Sequence, residues 1–266
     1  MSERLAHAKI NLALVVGSTR PDGKHEVTTV LQRIDLADRI RLERTAGLAV
    51  EGFEDDTLVR RALELLAGEA GVEPSWQAVI AKQIPVAAGL GGGSSDAAAA
   101  LMLANETLDR PVADARLREL AADLGTDVPF FLARGPQLGE GDGTILTALE
   151  LPQAFTVILL FPEAESKASS GDVYAEFDAR GGSAGYEGRR GRLLEALAAG
   201  DLAGLPPNDL ARSPHAEELR RLGAFRADVS GAGPAVYGLF ADASSAEAAK
   251  GRIEGLGRVW IGPPAW

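Results

Sequence analysis

Residues 85–100 read PVAAGLGGGSSDAAAA, four glycines and two serines running into alanines. A flexible linker would be followed by composition that needs no order. Here Ser94 and Ser95 lead instead into DAAAALMLANE, a strong helix former in which Ala97, Leu101, Ala104 and Leu108 can face a core. The preceding Trp76–Ile84 reads as a strand, so the order is strand, glycine loop, helix. Glycine lets backbone amides approach an anion, and a helix start adds unpaired N–H groups and a positive dipole end. The stretch lacks the Gly-Lys-Ser/Thr ending of a P-loop and the spacing of a dinucleotide fingerprint. Two readings stand on composition alone: a phosphate-binding loop, and a glycine turn that lets a helix pack closely.

Upstream, Leu5–Val16 alternates as a strand and puts Lys9 and Asn11 on one face. GSTRPDGK (17–24) is a turn, followed by extended segments at Glu26–Ile34 and Arg39–Arg44. A helix is expected over Asp56–Ala70, with Asp55 or Asp56 as its cap. Downstream, the alanine helix runs to about Leu108 with Ser94 or Ser95 as cap, and another spans Val112–Leu124 and stops at Gly125. Pro129 argues against a central strand in DVPFFL, and Gly135–Gly143 reads as a glycine-rich connection.

FTVILLF (155–161) has the apolar run of a buried strand, while 166–188 is a loop or short helices. Helices are expected over Arg190–Ala199 and Pro214–Leu222. The chain then reads strand (Arg226–Ser230), strand (Ala235–Phe240), helix (Ser244–Glu254), strand (Arg258–Ile261). The expected fold is α+β, with domains at 1–150 and 151–266.

Twenty-seven basic and 38 acidic residues give a formal net charge of −11, with no basic run to track a nucleic-acid backbone. Zero cysteines exclude disulfides, thiolate nucleophiles and thiolate metal sites. The opening MSERLAHAKINLALVV has neither a signal-peptide pattern nor a membrane-spanning run, so a cytoplasmic enzyme with no membrane partner is expected.

The glycine stretch resembles the Pro-x-x-x-Gly-Leu-Gly-x-Gly-Ser-Ser signature of the GHMP kinases. More narrowly, AKINLAL, RPDGKHE, DDTLVRRA, GTDVPFFL, NDL and DVSGAGPAVYGLF follow the order of the branch that acts on a cytidine-diphosphate-linked methylerythritol. The resemblance implies a two-domain GHMP kinase fold with an active-site cleft between domains, ATP as phosphoryl donor and Mg2+ with it. The acceptor would be the 2-hydroxyl of that small molecule, on the non-mevalonate route to isoprenoid precursors. It implies ATP binding by Pro85, Ala88, Gly89, Leu90, Gly91, Gly92, Gly93, Ser94 and Ser95. Asp127 and Lys9 would be catalytic, Asn11 would hold the acceptor, and Ser230, Gly231, Ala232 and Gly233 would form a second glycine loop.

An alcohol is far less acidic than a carboxylic acid, so Asp127 would accept its proton only as the bond to phosphorus forms. Lys9 would neutralise charge on the phosphoryl oxygens. Each has a plainer alternative: a snorkelling lysine, a capping aspartate, an asparagine satisfying backbone groups.

The chain departs from the family on the acceptor side. Lys24 stands where a tyrosine usually precedes the histidine, and Ala232 where a serine is common. His25 is expected to hydrogen-bond cytosine, Tyr174 to stack on it, and Lys24 to lay its stem on the base or reach a diphosphate oxygen. Protein metal ligands stay unassigned. The alternatives are a kinase for a mevalonate derivative or homoserine, and a non-catalytic nucleotide- or metabolite-binding protein.

Overall fold

The computed structural model describes residues 1–53, 58–163 and 169–266. Its contacts divide the chain into two compact units. The first holds residues 1–8, 36–86 and 91–134, the second 9–35, 87–90 and 135–266. Two long strands, β1 (Ser2–Thr19) and β2 (His25–Arg44), pair with each other and contribute to both units.

The two extended segments expected at 26–34 and 39–44 are thus one strand. The alternation passes through Asp35 and Asp38: Asp35 is exposed, while Leu36, Asp38 and Ile40 are buried. A buried aspartate holds a strand position when its oxygens are hydrogen-bonded.

In the first unit, β3 (Ala49–Glu51) lies parallel to β4 (Trp76–Ala81), which pairs antiparallel with β2 from Arg39↔Ala81 to Arg44↔Trp76. Helix α1 (Leu58–Ala70) buries Val59, Ala62, Leu63 and Leu66, a helical stripe that packs on α2 (Gly92–Asn105). The cap expected at Asp55 or Asp56 lies outside the described residues. α2 is buried on nearly every side from Ser95 to Ala104, which small alanine side chains permit.

Neither Ser94 nor Ser95 caps α2. Gly91 is the N-cap, in the left-handed region at φ 68°, and both serines lie within the helix. α3 (Asp114–Leu124) follows and ends at Gly125. Pro129 then opens a short 3-10 helix (Pro129–Leu132) that buries Phe130 and Phe131 edge to face, 5.0 Å apart. A proline's missing N–H costs nothing at that first-turn position.

In the second unit, β5 (Gln137–Gly141) pairs with β2 from Val27↔Gly141 to Leu31↔Gln137, and β6 (Ile145–Ala148) pairs with β5. The expected glycine connection at 135–143 is therefore mostly strand, its backbone held extended by the ladder to β2.

Beyond it come β7 (Thr156–Pro162), α4 (Ser170–Ala179), α5 (Tyr186–Ala198), α6 (Pro214–Arg221), β8 (Arg226–Val229), β9 (Val236–Phe240), α7 (Ala243–Ile253) and β10 (Gly257–Gly262). The four strands form an antiparallel sheet in the order β10-β7-β9-β8. Its core joins Ile158, Leu160, Val236 and Phe240 to Leu219 of α6 and Ile253 of α7. The ambiguous 166–188 segment contains α4, whose N-cap Ser169 forms a reciprocal capping box with Asp172. Val173 and Phe177 of α4 pack with Leu14, Val16, Val27 and Leu210. No helix among the described residues is long and apolar enough to cross a membrane.

Candidate active site

Alternation along β1 brings Lys9 and Asn11 to one face, and both are buried. The Lys9 ammonium donates to Asn11 Oδ1 at 2.7 Å and to the Gly89 carbonyl at 3.1 Å. Asn11 Nδ2 donates to Thr29 Oγ1 at 2.8 Å, and that hydroxyl donates to the Ala13 carbonyl at 2.8 Å. The amide of Asn11 is therefore oriented from both ends. With only 4% of its surface exposed, Lys9 does not snorkel. Asn11 spends its side chain on other side chains rather than on backbone.

Two glycine loops meet around this lysine in the second unit. Ser230 Oγ donates to the Gly89 carbonyl at 2.9 Å and accepts the Asn11 N–H at 3.3 Å. The Lys9 N–H donates to Leu90 O at 2.9 Å, and the Ala235 N–H to Ala88 O at 3.2 Å. Gly89 sits at φ +79°, and a Cβ there would lie 2.1 Å from the Ser230 carbonyl oxygen. Its glycine is required by the contact between loops.

Asn208 holds the second loop from outside, donating to Val229 O at 3.0 Å and Gly231 O at 2.7 Å. Its own Oδ1 accepts from the Leu210 N–H at 2.8 Å, and its N–H reaches Asp228 Oδ2 at 2.8 Å. The methyl of Ala232 packs against the cluster of Leu14, Val16 and Phe177. A serine hydroxyl is not needed for that contact.

The remainder of the phosphate-loop signature belongs to the first unit. Pro85 precedes the loop, and Gly92, Gly93, Ser94 and Ser95 form the first turn of α2, with the Ser95 N–H bonded to Gly91 O at 2.9 Å. The first N–H groups of a helix lack intrahelical acceptors, which makes this end an anion cradle. Asp127 lies in the same unit, half-buried between Gly125 and the 3-10 helix. That short helix has Val128 at its N-cap, directly after Asp127.

On the second unit, His25 stacks on Tyr174 with ring centroids 4.7 Å apart and planes at 28°, and meets the edge of Phe177 at 6.1 Å. Its Nε2 lies 2.9 Å from Asp178 Oδ1 and 3.4 Å from Thr19 Oγ1. Lys24, half-exposed, turns to Asp142, with Nζ 2.6 Å from Oδ2. Burial raises the Asp142 pKa, but hydrogen bonds from Lys24 and from the hydroxyl and N–H of Thr144 outweigh it and hold the carboxyl at about 2.

Among the described residues, no group of three or more His, Asp and Glu is arranged to hold a metal ion. Sequence reading left Thr29 as an ordinary strand residue and gave Asn208 no role beyond its place in NDL. The signal available for Thr29 was its even spacing from Val27 and Leu31 on one strand face. For Asn208 it was a polar pair, Asn208-Asp209, between prolines and an apolar residue.

A glycine-loop helix start and a buried, oriented lysine are the parts of a small-molecule kinase, and the comparisons agree. The GHMP kinases N terminal domain matches residues 57–135 and the GHMP kinases C terminal domain matches residues 216–258. A 4-diphosphocytidyl-2-C-methyl-D-erythritol kinase from Pelotomaculum thermopropionicum is 39% identical over 91% of this chain and 90% of its own. Its counterpart from Geobacter sp. (strain M21) is 38% identical over 94% and 93%. A crystal structure of 4-(cytidine 5'-diphospho)-2C-methyl-D-erythritol kinase matches with a TM-score of 0.83 at 32% identity, covering 100% of both chains. The chain belongs to the 4-diphosphocytidyl-2-C-methyl-D-erythritol kinase family of GHMP kinases.

Proposed function

We propose that this chain transfers the γ-phosphoryl group of ATP to the 2-hydroxyl of 4-diphosphocytidyl-2-C-methyl-D-erythritol, a step toward isoprenoid precursors. The observation that carries the reading is the buried Lys9 ammonium, fixed by Asn11 and the Gly89 carbonyl beside two glycine loops. A lysine held in this way is preorganised for anionic oxygen and needs no reorganisation when charge develops.

The acceptor oxygen attacks the γ-phosphorus as the bond to the β-phosphate bridging oxygen breaks, ADP leaves, and the hydroxyl proton passes to Asp127. Lys9 offsets charge on the transferring oxygens, and Asn11 orients the acceptor. Pro85 and Ala88–Ser95 hold the ATP phosphates through loop amides and the start of α2. This cradle of unpaired amides at the start of α2 fits a nucleotide polyphosphate, and Mg2+ bound with it would supply charge neutralisation. His25 and Tyr174 recognise the cytosine, one by hydrogen bonding and one by its ring face.

A phosphotransfer assay with ATP and Mg2+ tests the reading. The cytidine compound should be phosphorylated, with little or no turnover of mevalonate derivatives, homoserine or free methylerythritol phosphate. Turnover of one of those acceptors with none on the cytidine compound overturns the substrate assignment. Nucleotide binding with no turnover of any acceptor points instead to a binding protein.

A further inference from the structure

Three ionisable side chains of the first unit cluster at the two ends of the glycine loop and take no part in the chemistry above. Asp38 of β2 is fully buried, Asp96 of α2 is 1% exposed, and Lys82, directly after β4, joins them. Lys82 Nζ donates to Asp38 Oδ2 and, at 2.8 Å, to Asp96 Oδ2. Asp38 Oδ1 accepts the N–H groups of Gln83 at 2.5 Å and Ile84 at 2.8 Å. These are the last residues before Pro85, so the network grips the chain where it enters the loop. Asp96 lies on α2 one turn past Gly92, so it also grips the chain where the loop ends.

The two flanks touch directly as well. A Cβ on Gly92 would lie 3.0 Å from Ile84 Cγ2 and 3.3 Å from Lys82 Nζ. The ammonium therefore stands beside the first residue of α2, whose unpaired amides form the anion cradle. One atom is left over: Asp96 Oδ1 is buried without a hydrogen-bond partner. An ionised carboxylate in that setting carries a large desolvation cost, whereas a carboxylic acid does not.

Resting on the phosphate-loop reading, we propose that Asp38, Lys82 and Asp96 are positioning residues that hold both ends of the glycine loop in place for a nucleotide polyphosphate, with Asp96 taking up a proton when it binds. The charged groups facing Asp96 are Lys82 and Asp38. Desolvation raises its pKa most, Lys82 opposes this, and Asp38 adds to it, leaving Asp96 at about 7. Below that pH the cluster has one carboxylate for one ammonium. Above it, a second negative charge sits beside the cradle. Polyphosphate and that charge repel, so ATP binds the protonated form more tightly, and reciprocity requires that ATP in turn favour the proton.

Equilibrium titration with ATP at pH 6, 7 and 8 tests this on the wild type and Asp96→Asn, which keeps the shape of the side chain and an oxygen for Lys82 but cannot ionise. The variant should bind ATP within about twofold of the wild type at pH 6 and several-fold more tightly at pH 8. Changes in the ionisation of ATP itself cancel in this ratio. A ratio constant across pH overturns the proton linkage. Lys82→Met should weaken ATP binding at least tenfold at pH 7 with the KM for the acceptor little changed, and Lys82→Arg should recover most of the loss. Unchanged ATP affinity in Lys82→Met overturns the positioning role, as does equal damage to both substrates. Should Lys82→Met fail to fold, Lys82→Arg and the Asp96→Asn profile decide. Absence of ATP binding by the wild type removes the phosphate-loop reading itself, and this proposal with it.

Discussion

Lys9 and Lys24 put the same side chain to opposite uses. Lys9 is buried, its ammonium fixed by an asparagine oxygen and a loop carbonyl that come from separate parts of the chain. Lys24 leaves half its side chain in water and reaches a carboxylate across a turn. A buried ammonium aimed by such partners costs desolvation and is retained for what it meets there. An exposed ion pair contributes about 0–1 kcal/mol and is easily given up. The two lysines therefore mark one part of the second unit that tolerates little change and another that tolerates much.

The largest effects are expected on the buried side. Lys9→Met should lower kcat by about 10²–10³-fold, in the range set by losing one preorganised charge-stabilising group. Asp127→Asn should lower it by about 10²–10⁴-fold, the span of general acid-base contributions. In both, ATP affinity measured by equilibrium binding should stay within about threefold of the wild type. If either variant lost ATP binding in proportion to rate, the residue would be holding nucleotide or fold, and the contrast between the lysines would reduce to one of burial.

A middle-sized effect belongs to the aromatic pair. Tyr174→Ala removes a ring worth about 0.5–1.5 kcal/mol in stacking, so the KM for the cytidine compound should rise about two- to tenfold with kcat and the KM for ATP nearly unchanged. Ser230→Ala sharpens the other side of the comparison. It deletes the hydroxyl that links Gly89 O to the Asn11 N–H and should cost roughly 1–3 kcal/mol of stability, read as a lowered Tm. A Ser230→Ala protein as stable as the wild type would mean the loops hold Lys9 without that link.

How much of this was legible in the sequence depends on how local each cause is. Strand alternation placed Lys9 and Asn11 on one face, and the alanine run announced a helix, because both signals lie within a few residues. The cap of α2 was misread because serines are common caps. The left-handed Gly91 took that position, and the serines moved inside. The sequence reads as two extended segments, 26–34 and 39–44, where the structure has the single strand β2 running through Asp35 and Asp38. The Lys82 ammonium and the N–H groups of Gln83 and Ile84, all more than forty positions away, explain a buried aspartate in mid-strand. Shorter but still non-local separations, of 16 to 23 positions, hide Thr29 and Asn208, whose roles come from partners on other segments. Gly89 was read as room for phosphate, and its closest constraint is the Ser230 carbonyl.

The smallest effect is the most specific to this chain. Lys24→Ala breaks only the pair with Asp142, and because that pair is half in water the Tm should fall by no more than about 2–4 °C. Lys24→Tyr introduces the ring that the family resemblance implies at this position and, by the stacking scale, should lower the KM for the cytidine compound about two- to tenfold. The present arrangement gives the reason: Lys24 is committed to Asp142, while His25 already has Tyr174 against its ring and Asp178 at its nitrogen. A base entering here has Tyr174 and His25 to meet and no second ring supplied by residue 24. If Lys24→Tyr bound the cytidine compound no better than wild type, or worse, the lysine would be contributing to the acceptor directly, through its stem or through charge on a diphosphate oxygen. High salt would separate those two outcomes, since screening weakens the charge contact and leaves the stem's packing intact.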